Sequence, residues 1–83
     1  MRLEIGKYIV VDDEICRGKP TFRGTRILVS DVLELLGAGV SVEEIIRDYY
    51  PSLSEDMVKE ALKWAAEIVR GERYVVKYTE VSA

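Results

Sequence analysis

The spacing of apolar and polar positions changes period several times along this chain. YIVVD at residues 8–12 is β-branched and aromatic, then stops at the acids Asp12, Asp13 and Glu14, which predicts a short strand. Ile15 with Cys16, and Thr21 with Phe22, offer brief extended pieces around Gly18 and Pro20. RILV at 26–29 is apolar and leads into a helix. From Ser30 the period is helical. Val29, Val32, Leu33 and Leu36 share a face, Ser30 is the expected N-cap, and Gly37 or Gly39 the stop. SVEE at 41–44 has the Ser-x-x-Glu spacing of a capping box and opens a second helix running to about Tyr49, ahead of Pro51. A third helix is predicted from the cap Ser54 to Gly71. Its expected apolar stripe is Met57, Val58, Ala61, Leu62, Ala65, Ile68 and Val69, with Trp64 beside it. Beyond Gly71, Tyr74, Val76 and Tyr78 alternate with Val75, Lys77 and Thr79 as a strand does.

These elements make one small domain over residues 1–83: strands and a basic turn at 1–29, three helices at 30–71, a strand or arm at 72–83. The expected class is α+β, mainly α. A second and third helix joined by YPSLS, with another helix ahead of them, follow the layout of a helix-turn-helix unit. No apolar run approaches the roughly 18 residues that span a bilayer. The first residues carry no signal-peptide pattern, and a single cysteine, Cys16, cannot form an internal disulfide, so a cytoplasmic protein is expected.

Charge changes the picture at one place. Residues 17–26, RGKPTFRGTR, hold the four cations Arg17, Lys19, Arg23 and Arg26, and no acid. The chain has twelve cations and fifteen acids, so outside this stretch eight cations face fifteen acids. A globally acidic chain gains little non-specific attraction to polyanions, and any nucleic-acid binding has to be local or shared with a partner. The four cations have three readings: contacts to phosphates, contacts to acids on a partner protein, or internal pairs, with Arg26 meeting Asp12, Asp13 or Glu14. A Walker phosphate loop is excluded, because Gly18-Lys19 runs into Pro20 instead of Ser or Thr.

Catalysis has little to draw on. There is no histidine, hence no imidazole base and no His-ligated metal. Cys16 has no evident base beside it and reads as a small packed thiol. Asp12, Asp13 and Glu14 are consecutive, and a strand cannot turn all three toward one ion. No enzyme, metal or cofactor is expected. At the start of the third helix, Glu55 and Asp56 suit the helix dipole and would be repelled by phosphates, whereas Lys59 and Lys63, four apart on one face, are candidates to contact a nucleic-acid backbone or a partner. Trp64, Tyr74, Val76 and Tyr78 are candidate anchors for a partner or a second copy; the aromatics could equally close the local core.

The string Ile15-Cys16, Gly18-Lys19-Pro20 and Arg23-Gly24-Thr25-Arg26-Ile27 is followed by Gly39-Val40-Ser41, Glu43-Glu44-Ile45 and Tyr50-Pro51 with Leu53. Over residues 8–67 this order resembles the domain-of-unknown-function family 433. The resemblance implies a homeodomain-like helix-turn-helix fold and an antitoxin of a type II toxin–antitoxin module. Such a protein would bind and block a PIN-like ribonuclease toxin, with operator DNA and a homodimer as further associations. Gly18, Pro20, Gly24 and Thr25 are then the structural part of the motif. Two alternatives stay open: a stand-alone DNA-binding regulator, and a homo-oligomeric module that binds no nucleic acid.

Overall fold

A computed structural model of the chain describes residues 1–72. Its sheet has three antiparallel strands in the order β1 (Arg2–Ile5), β2 (Ile9–Asp12) and β3 (Thr21–Phe22). Strand β2 is central and was expected. Its partner β1 was not, because RLEI is four residues long with only two apolar positions. The β1–β2 register sets Leu3 opposite Val11 and Ile5 opposite Ile9; β3 sets Phe22 opposite Ile9 and Thr21 opposite Val10. Ile9, Val10 and Val11 are all buried, so β2 is covered on both faces. Thr21 is buried with them, and its hydroxyl finds no partner among the described residues.

The first helix, α1 (Val29–Gly37), begins one residue before Ser30, with Leu28 at the N-cap position and no side-chain cap. Ser30 is therefore not the cap. The backbone does the work instead: Leu28 bridges to Thr21, and the Val29 N–H donates to the Pro20 carbonyl at 3.0 Å, so the sheet hands the chain to the helix. By contrast, the box at α2 (Val42–Glu44) forms as its spacing requires. Glu44 N–H donates to Ser41 Oγ at 3.1 Å, and Ser41 N–H to the Glu44 carboxylate at 3.0 Å. Those bonds hold the Glu44 carboxyl below its ordinary pKa, the backbone donor contributing most. The helix continues over Ile45–Tyr49 as a wider π-type turn, closed by Tyr50 N–H to Ile45 O at 2.7 Å.

Helix α3 (Glu55–Val69) is capped by Ser54, with Met57 Sδ in the place a Glu carboxylate would take. Its buried face is Val58, Ala61 and Trp64, while Leu62 and Val69 point outward. The stripe is thus rotated from the one expected. Trp64 has the largest apolar surface on the helix, and turning it inward to 6 % exposure gains more than burying Leu62. The core joins Ile9 and Phe22 of the sheet to Val29, Val32, Ile45, Leu53, Val58, Ala61 and Trp64. Among the described residues, no helix is long and apolar enough to cross a membrane. The expected strand or arm at 72–83, with Tyr74, Val76 and Tyr78, lies outside the described residues apart from Glu72.

Candidate binding face at the basic turn

Leaving β2, the chain makes a tight turn in which the Asp12 carboxylate accepts from Glu14 N–H at 2.9 Å. Cys16–Gly18 then forms a single left-handed turn. Cys16, Arg17 and Gly18 have φ of 49°, 58° and 81°, and Gly18 N–H and Lys19 N–H close onto the carbonyls of Ile15 and Cys16. Glycine adopts this backbone at little cost, but Cys16 and Arg17 each carry a strain of about 1–2 kcal/mol. A second turn follows β3. Gly24 sits at φ 78°; Thr25 Oγ1 donates to Phe22 O at 2.8 Å and accepts from Ile27 N–H at 3.0 Å. The Cys16 thiol donates to Arg26 O at 3.6 Å and links the two turns. Gly18, Gly24 and Thr25 are thus structural, and Pro20 supplies the carbonyl that starts α1.

The four cations separate into two kinds. Arg23 is built into the fold: its Nε donates to Lys7 O at 2.9 Å, its Nη1 to Glu4 Oε2 at 2.8 Å, and its backbone N–H to Tyr8 O at 2.6 Å. The Glu4 carboxyl is held below its ordinary value, first by the Arg23 hydrogen bond and charge, then by Arg2. Arg17, Lys19 and Arg26 are exposed, and their side chains make no hydrogen bond or ion pair among the described residues. Arg26 does not pair with Asp12, Asp13 or Glu14. Asp12 is reached by Arg2 instead, at 3.4 Å, because β1 lies beside β2 in that register. Arg2, Ile15, Arg23, Gly24, Thr25 and Arg26 border an open depression of about 450 Å³. Arg26 is the one guanidinium on its rim that no described carboxylate engages.

The remaining candidates do not join this face. Lys63 lines a separate crevice of about 90 Å³ with Glu60, Glu67, Trp64, Ile5 and Gly6, and Lys59 is exposed on the same helix. Glu55 and Asp56 are exposed at the start of α3, where a recognition helix would present cations or amides. Trp64 stands in the core, the second of its two roles.

Two supporting residues, Glu60 and Glu4, lie outside the basic stretch. Glu60 of α3 accepts from Lys7 N–H at 3.1 Å and Tyr8 N–H at 2.7 Å, so the β1–β2 turn is held by Glu60 through its amides and by Arg23 through its carbonyls. Glu4 completes the Arg23 contact. Nothing local marks Glu60, whose partners lie more than fifty residues away. Among the described residues, no three of Cys, Asp and Glu gather as a metal-binding group.

The architecture can be set beside known proteins. The model of a family described as Protein of unknown function (DUF433) matches residues 9–65. This chain belongs to the DUF433 family. The match begins at β2 and ends inside α3, spanning the left-handed turn, the second turn, α1, α2 and most of α3. Strand β1, with Arg2 and Glu4, lies outside it, so part of the support for the DUF433 turn in this chain comes from beyond the matched segment. No curated protein and no solved structure matches.

Proposed function

We propose that this DUF433 protein is an antitoxin-like binding module whose Arg17, Lys19 and Arg26 meet a carboxylate-rich surface on a partner protein, a PIN-like ribonuclease. One observation carries this reading. Arg17, Lys19 and Arg26 stand exposed on two adjoining turns with no side-chain hydrogen bond or ion pair among the described residues, and the backbone that presents Arg17 is strained. A nuclease that gathers carboxylates around metal ions presents the complementary charge. The homeodomain-like reading of α1, α2 and α3, with operator binding by a dimer, comes second. It is favoured by the short 50–54 connection and by cations able to meet phosphates, and opposed by Glu55 and Asp56 at the start of α3.

The test is affinity purification of the tagged protein from nuclease-treated extract of its host, followed by titration of the recovered partner. A small nuclease in constant ratio, bound far more weakly by Arg17→Ala/Lys19→Ala/Arg26→Ala, is the expected result. Equal affinity for the triple variant would remove the basic turn from the interface. A salt-steep shift of upstream DNA, with no protein recovered, would favour the regulator.

A further inference from the structure

Opposite in character to the basic turn is a second depression of about 530 Å³, formed where α2 and its π-type extension meet the start of α3. Its apolar lining is Val42 and Ile46, both half-buried against the core; its charged rim is Glu43, Glu55 and Arg47. Arg47 offsets the rim only in part: its guanidinium is bonded to Asp48 at 3.0 and 2.8 Å and feels Glu43 as a weaker, more distant charge. Glu43 and Glu55 have no hydrogen bond or ion pair among the described residues. An apolar lining under unpaired carboxylates suits the long stem and charged head of an arginine or lysine, which bury methylenes while the head stays at the rim.

The same chain carries the matching groups. Arg17, Lys19 and Arg26 are exposed on two hydrogen-bonded turns joined through the Cys16 thiol, and no hydrogen bond or ion pair among the described residues links them to Glu43 or Glu55. Among the described residues, neither charge set has a hydrogen bond or ion pair to the other or to any other side chain. We propose that the Val42–Ile46 depression is an interaction surface for the basic turn of a second copy of this chain, with cations of one copy seated between Glu43 and Glu55 of the other. The proposal rests on the reading of Arg17, Lys19 and Arg26 as binding groups, and implies that self-association and capture of an acidic partner compete for them.

Sedimentation of the full chain tests it, at low salt and again at about 0.5 M, where the Debye length falls to a few ångströms. The expected result is association above the monomer at low salt and its loss at high salt. Glu43→Lys/Glu55→Lys and, separately, Arg17→Glu/Arg26→Glu are each expected to sediment as monomers that circular dichroism shows still folded, the acid-face pair with a slightly lower Tm because both acids lie in the first turn of a helix. Mixed, the two variants should reassociate as a one-to-one pair, since each retains the surface the other has lost. A monomeric wild type, a mixture that stays monomeric, or variants that associate like the wild type would each overturn the proposal. The acid-face variant keeps its cations, so its affinity for the purified nuclease partner reports on the antitoxin-like reading separately.

Discussion

Arg23 and Arg17 are the same amino acid six positions apart, and their side chains do opposite things. Arg23 ties the strand turn to Glu4, so Arg23→Ala should cost about 1 kcal/mol, a fall of roughly 4–8 °C in Tm for a domain of this size, with little change in partner affinity. The Glu4 contact adds a pH signature. A carboxyl whose folded pKa is depressed below 4.5 stabilises the fold above its unfolded value and loses that contribution as pH falls through the folded one. Glu4→Gln should therefore melt below the wild type near neutrality, the gap closing under acid. Arg17→Gly is predicted to do the reverse of Arg23→Ala: relief of the left-handed strain raises stability by up to about 1 kcal/mol while binding weakens. Thermal melts and titration of the same variants check both. The sequence marked the four cations together and could not sort them, because what distinguishes Arg23 is a strand turn supplied by residues it does not adjoin.

At the scale of elements, legibility follows how local the cause is. Both serine caps were readable, since Ser41 and Ser54 meet partners three residues on. Strand β1 was not readable, since RLEI is short and its place is fixed by pairing with β2 and by the grip of Glu60 on the intervening turn. The buried face of α3 differs from the expected stripe for a similar reason. Periodicity gives a stripe, but Trp64 decides which edge of it turns inward. Glu60→Ala leaves two turn amides without their acceptor and should cost about 1–3 kcal/mol. Gly6→Ala should be comparably harmful, because Gly6 has φ 67° and a Cβ there would stand 3.0 Å from the Glu60 carboxylate. Urea unfolding of both variants, with amide exchange at Lys7 and Tyr8, checks the clamp.

For the whole molecule, the governing feature is segregation of charge: a basic turn at one site, and at another Glu43 of α2 and Glu55 of α3, acids with no hydrogen bond or ion pair among the described residues. Net charge of −3 conceals it, and composition alone would have argued against any cationic surface. Partner affinity through the turn should fall steadily as salt rises, and the Arg17, Lys19 and Arg26 triple variant should show a flatter dependence with an unchanged Tm. That pairing of results separates a binding surface from a folding motif.

The buried Thr21 hydroxyl bears on how much further this domain could be engineered. It sits in the sheet with no partner among the described residues, so Thr21→Val, with a similar outline and no polar atom to desolvate, should raise the unfolding free energy by about 1–3 kcal/mol. A domain with such slack at its centre has headroom: a Thr21→Val background could absorb the losses from Arg23→Ala or Glu60→Ala, keeping those chains folded long enough for their binding to be measured.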